Sequence, residues 1–334
     1  MTGRSMRFLP LLAVAAILVA APAAPRPAVS PMVQVSPDRP GAFRTVQGAI
    51  DALAATGGTV LIAPGRYREK LTIRGNGVRL RGTGRNPAEV VLVFGDASAT
   101  VGGTLKSATL TVSGDDFRAT NLTVQNDYWL DPAHPPSQAV ALALTGDRAV
   151  VRRVRLLGHQ DTLYANRGPN RRTTRQYFRD CYIEGHVDFI FGDAMAYFDR
   201  CHIHALANDS VWYTAQSRNA PDDDGSAYVF DRSRFTADAG ARNIALGRAW
   251  RPYARVILLN ARLDAPILPA GWTEWTPGKT HTLDTAYFVE YRSTKRGAAP
   301  TTREPRTHQL RPDQAARWRL GAFFGADGDW VRTP

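Results

Sequence analysis

Gly158-His159-Gln160-Asp161-Thr162-Leu163-Tyr164 is followed, 27 residues later, by Gly185-His186-Val187-Asp188-Phe189-Ile190-Phe191. The two phrases share a lead-in, Arg153-Val154-Arg155-Leu156 before the first and Asp180-Cys181-Tyr182-Ile183 before the second. A repeat of this length marks one structural unit stacked on the next. Stacking gives Asp161 and Asp188 one register on neighbouring units. Two carboxylates that face each other in this way can perform acid–base or nucleophilic chemistry.

Outward from this pair a shorter phrase recurs: a small or apolar residue, one spacer, then a larger apolar residue. It reads Leu122/Val124, Val154/Leu156, Cys181/Ile183, Cys201/Ile203, Ser233/Phe235 and Ala261/Leu263, and most copies have Asn, Asp or Arg just ahead. A constant phrase at irregular intervals suits a solenoid whose coils differ only in loop length. Strand patterning with few helix candidates makes the chain all-β and the solenoid a parallel β-helix. A β-sandwich also has many short strands, but it gives no reason for one phrase to return in register. The register places Cys181 and Cys201 in the same slot of adjacent coils. Neighbouring strands lie about 4.7–4.9 Å apart, within the span of about 4.4–6.8 Å that a disulfide bridges, so the spacing predicts a Cys181–Cys201 disulfide.

At the start of the chain, Arg4 and Arg7 precede an apolar run from Phe8 to about Ala21 and then small residues and prolines. This pattern is that of a secretory signal peptide over residues 1–28, with the folded domain over 35–334. The run is short for a membrane span. Export, with no membrane attachment after cleavage, is the expectation. Phe43, Val46, Ala49, Ile50 and Leu53 have helical spacing and end at Gly57-Gly58, which predicts a short helix capping one end of the core. Thr59–Ala63, Val78–Arg81 and Val90–Val93 read as strands bounded by Gly or Pro-Gly, and Gln138–Leu142 as another. Asp127 to Pro136 reads as a loop. The tail from Ala298, with a helical Gln314–Trp318, is expected along the outside of the solenoid.

Of 334 residues, 44% are hydrophobic and 22% charged, as in ordinary globular proteins, and the net charge is +12. The excess of positive charge suits a polyanionic partner. It is spread along the chain without the Lys/Arg blocks of a nucleic-acid arm, so no nucleic-acid partner is expected. His202-Ile203-His204 is read as structural, one His facing inward, with no carboxylate or Cys to complete a metal site. Asp222-Asp223-Asp224 is read as a solvated turn. No metal or cofactor is expected. A Gly-Xaa-Ser-Xaa-Gly elbow, a P-loop and a dinucleotide fingerprint are all absent from the sequence.

Asp161 and Asp188 each leave their strand five residues after the matching apolar position, Leu156 or Ile183. Like charges so close do not both ionise easily, so one pKa is expected to rise and the other to fall. That makes one an acid and the other a nucleophile or base. Gln160 and Gln138 offer amide donors for a developing oxyanion. Leu246-Gly247-Arg248-Ala249-Trp250 brings a guanidinium and an aromatic face suited to a sugar.

With these pieces in family order, the chain resembles the pectin methylesterases (pectinesterases), and is read as their secreted bacterial type. The matching segments are Phe43–Gln47, Gly65–Glu69, Ser107–Thr109, Gln138–Ala141, Gln160–Tyr164, Asp188–Gly192 and Leu246–Trp250. The resemblance implies a single-stranded right-handed parallel β-helix that hydrolyses the methyl esters of polygalacturonate. It implies Asp188 as nucleophile, Asp161 as acid and then base, Gln138 and Gln160 as oxyanion donors, and Arg248 as the group that keeps Asp188 ionised. Thr109, Tyr164, Phe191 and Trp250 fall at groove positions. Substrate pectin and a monomeric enzyme are the partner expectations. The chain departs from the family in having Ala249 where proline is usual, and in lacking Gly-Pro-Gly near the end of 290–298. A polysaccharide lyase, an esterase for another ester and a non-catalytic carbohydrate-binding solenoid are the alternatives on a similar fold.

Overall fold

The structure, a computed structural model, describes residues 2–3, 30–221 and 225–332. Most of the leader and Asp222-Asp223-Asp224 lie outside the described residues.

The chain climbs as a right-handed parallel β-helix whose ladders are all parallel. A seventeen-stranded network covers two faces, and an eight-stranded sheet forms the third. The register follows the recurring phrase. Leu122 pairs with Val154, Val124 with Leu156, Leu156 with Ile183, Ile183 with Ile203, Ile203 with Phe235 and Phe235 with Leu263. These side chains are buried, so one apolar position per coil builds a continuous core. Phe178, Phe198 and Phe230 extend it as a stack, with ring centroids 4.7 and 4.4 Å apart.

The polar residue ahead of each phrase turns the corner between the first two faces. Asn121, Arg153, Asp180, Arg200, Arg232, Asn260 and Arg292 all lie at φ between +50° and +57°. Asn and Asp tolerate this left-handed conformation; Arg pays a steric penalty in it.

The predicted disulfide is absent. Cys181 and Cys201 do occupy matching slots, since Tyr182 pairs with His202, but both are free thiols in the core. Equivalent positions on parallel strands point their Cα–Cβ bonds the same way. Each thiol then donates to backbone carbonyls, Cys181 to Val151 at 3.3 Å and Cys201 to Phe178 and Asp199, both at 3.6 Å. Burial pushes the Cys201 thiol well up, so it stays protonated.

The capping helix spans Val46–Ala52, with Thr45 Oγ1 accepting from Gly48 N and Val46, Ala49 and Ile50 buried. The tail adds helices at Pro312–Ala316 and Leu320–Phe324. Ala315, Phe323, Phe324, Trp330 and Val331 cover Tyr177, Tyr197, Val229 and Ile257 on the outside of one face. In place of Gly-Pro-Gly, the turn at 290–298 closes on Gly297, whose N–H donates to Leu263 O at 2.9 Å; a Cβ there would sit 2.5 Å from Ala265 O.

The inward His is not found. Residues two apart on a strand share a face, so Ile203 points in and His202 and His204 both point out. Their Nε2 and Nδ1 atoms meet the same Thr236 hydroxyl, at 2.6 and 2.7 Å.

Candidate active site

The eight-stranded face carries the site. Ala143, Tyr164, Phe191 and Ala215 are consecutive partners across four strands, and Gly247, paired with Thr214, leads directly into Arg248. The segment 138–141 is bonded to both neighbouring coils without being part of a strand, which begins at Leu142. Just before the Tyr164 and Phe191 strands, the repeated phrases make two loops in step. Asp161 N donates to Val187 O at 3.1 Å and Leu163 N to Phe189 O at 2.8 Å. Gly185 opens the second loop because the coils touch there: a Cβ would lie 2.5 Å from His159 O and 2.4 Å from Phe189 Cβ. Asp161 and Asp188 take φ of +64° and +51°, the left-handed conformation that Asp tolerates and that the coil corners also use.

A cavity of about 340 Å³ opens over these loops. Gln138, Gln160, Asp161, Tyr164, Asp188, Phe191, Arg248 and Trp250 line it together. Asp161 is 8% exposed and Asp188 5%. Arg248 Nε donates to Asp188 Oδ1 at 2.9 Å and Nη2 to Oδ2 at 2.6 Å, the bidentate fork that best stabilises a carboxylate. Among the described residues no such partner reaches Asp161. Burial, and then the charge of Asp188, push the Asp161 carboxyl well above the usual range. Burial also raises Asp188, but the two Arg248 hydrogen bonds and the Arg248 charge oppose it. The expected split therefore appears as one large rise and one restrained rise. No fall occurs, because desolvation acts on both carboxyls. Of the two, Asp161 holds a proton the more tightly.

Gln138 and Gln160 face the cavity with their side-chain amides unbonded to other described residues. Tyr164 and Phe191 rings lie 4.9 Å apart, Phe191 and Trp250 6.1 Å, Trp250 and Trp275 6.2 Å, forming a row along the coil axis. Such a row presents flat apolar faces to a sugar chain. Thr109 is not in this group. Its side chain is fully buried and its hydroxyl donates to Gln125 O at 2.9 Å.

Sequence reasoning missed Thr104, Leu105, Ala215 and Trp275 on the cavity wall, and Trp212 beside Arg248. Trp272-Thr273-Glu274-Trp275 carried a signal, being a tryptophan-rich phrase one coil beyond Arg248. Ala249, in the usual proline position, is fully buried, and the next turn is held by Trp250 N donating to Gln216 O at 3.1 Å.

Two aspartates with unequal proton affinity, set in an aromatic groove on a β-helix, fit a hydrolase that works on carbohydrate chains. Residues 32–327 match the family model described as Pectinesterase. Pectinesterase 31 of Arabidopsis thaliana is 35% identical over 92% of this chain and 99% of its own length. Among solved structures, the pectin methylesterase from carrot superposes with a TM-score of 0.79 at 30% identity, covering 90% of this chain and 94% of that one. A pectin methylesterase in complex with a hexasaccharide superposes with a TM-score of 0.72 at 29% identity, covering 88% and 97%. The chain belongs to the pectinesterase family and is a carboxylic ester hydrolase. The bacterial type is not borne out, since the curated relatives it matches are plant enzymes.

Proposed function

We propose that this chain demethylates pectin with Asp188 as nucleophile and Asp161 as acid and base. The observation that carries the reading is the Arg248 fork on Asp188 beside a buried Asp161, one coil away, that has no such partner among the described residues. The Asp188 carboxylate attacks the carbonyl carbon of a galacturonate methyl ester. Negative charge gathers on the former carbonyl oxygen, where the amide N–H groups of Gln138 and Gln160 donate to it; one such donor is worth about 10²–10³ in rate. As the tetrahedral intermediate collapses, the Asp161 proton passes to the departing methoxy oxygen and methanol leaves. An acyl-enzyme on Asp188 remains. Asp161, now a carboxylate, takes a proton from water, and the resulting hydroxide attacks the acyl carbon. The Asp188 carboxylate is released and the substrate keeps a free acid. Tyr164, Phe191 and Trp250 hold the sugar rings, and Arg248 keeps Asp188 ionised between turnovers.

The test is methanol release from methylated pectin. Asp188→Asn preserves shape but cannot attack, so turnover should vanish with the fold intact. Substantial residual turnover would show that another group is the nucleophile.

Both aspartates, both amides and Arg248 come from one chain, which supports a monomer; light scattering of a dimer would remove that part. The basic and apolar leader supports export, which a mature N-terminus near residue 29 in culture medium would establish and retention in the cell would refute.

A further inference from the structure

Arg248 does more than pair with Asp188: its guanidinium lies between two indoles. Its Cζ is 4.0 Å from the ring centre of Trp212 and 4.1 Å from that of Trp275. The two tryptophans differ in what else they touch. Trp275 lines the cavity and accepts from Arg248 Nη1 through its backbone carbonyl at 3.3 Å. Trp212 is not on the cavity wall. Its Nε1–H donates to Thr273 Oγ1 at 2.9 Å, and Thr273 is the strand partner of Arg248. The ring is thus fixed to the strand beside the one that carries the arginine.

A guanidinium confined between two aromatic faces keeps only its edges for hydrogen bonding. Here one edge, Nε and Nη2, meets Asp188. The rings also exclude water from its faces, which strengthens its attraction for a carboxylate. We propose that Trp212 is a positioning residue for this reaction, setting the plane of Arg248 and through it the ionised state and aim of Asp188. Trp212 stands off the cavity wall and touches the reacting pair only through Arg248.

The proposal rests on Asp188 as nucleophile. The charged groups facing Asp188 are Arg248 and Asp161. His186, two residues upstream, is pushed down to about 4 by burial and adds no charge at neutral pH. Loosening Arg248 therefore raises the Asp188 pKa and moves the acid limb of the rate profile to higher pH.

The test is kcat, KM and the pH profile of Trp212→Ala, Trp212→Phe and Thr273→Val on methylated pectin. Trp212→Ala should lower kcat about tenfold, leave KM within about twofold and shift the acid limb upward. Trp212→Phe keeps a face over the guanidinium and should restore most of the loss. Thr273→Val unpins the indole without opening a cavity and should move the same limb by less. An unmoved acid limb in folded Trp212→Ala, or a change confined to KM, overturns the proposal. If Trp212→Ala does not fold, an unmoved limb in Thr273→Val overturns it instead. These outcomes are distinct from failure of the underlying reading, which would appear as turnover by Asp188→Asn.

Discussion

At the residue scale, one arginine sets apart the proton affinities of two like aspartates, and the proposed mechanism gives each a different task. Rate should fall at low pH as Asp188 takes a proton and at high pH as Asp161 loses one, giving a bell-shaped kcat/KM profile. The raised Asp161 pKa also bears on stability. A folded state that holds a proton more tightly than the unfolded chain is fully favoured below the unfolded pKa, and loses that advantage as pH rises through the folded one. Near neutrality, Asp161→Asn should therefore raise Tm while lowering kcat by about 10²–10⁴, as measured by thermal melting and methanol release. A lower Tm would show that the carboxyl stabilises the fold. The stacking of Asp161 on Asp188 was legible because it depends only on the period of a repeat. Trp212 was not, because its role depends on a ring from one coil reaching the arginine of the next. Thr109 lies off the cavity wall; matching a segment does not tell which way a side chain points from the turn before its strand.

At the element scale, the coil corner explains why so slight a phrase sufficed to read the fold. The phrase follows a left-handed residue, so each copy enters the next face in the same register. That the corner accepts Arg153 was not foreseeable from preference alone, since arginine has no local reason to sit at φ of +50°. A β-branched residue there suffers more, and Arg153→Val should destabilise by about 1–2 kcal/mol in denaturant unfolding. No loss would mean that the corner relaxes out of the left-handed region. The cysteine pair was legible in register but misread in chemistry. Matching slots bring the two side chains alongside each other, and that alone does not turn the sulfurs toward one another.

For the whole molecule, a net charge of +12 meets a substrate that becomes more negative with every ester removed. KM for partly demethylated pectin should rise with ionic strength, more steeply than KM for highly methylated pectin, because screening acts on the free carboxylates. Equal salt dependence for the two substrates would separate the charge from recognition. The capping helix at the N-terminal end and the tail along one face leave the Asp161–Asp188 groove uncovered. Circuits of the spiral differ in length, and that variation is itself informative. Twenty residues separate Cys181 from Cys201, against 27 to 32 between the other neighbouring copies of the phrase. Asp188 rides on this tightest lap, which has no slack to lend. Inserted residues should therefore be accommodated on the roomier laps more readily than on the one that carries Asp188.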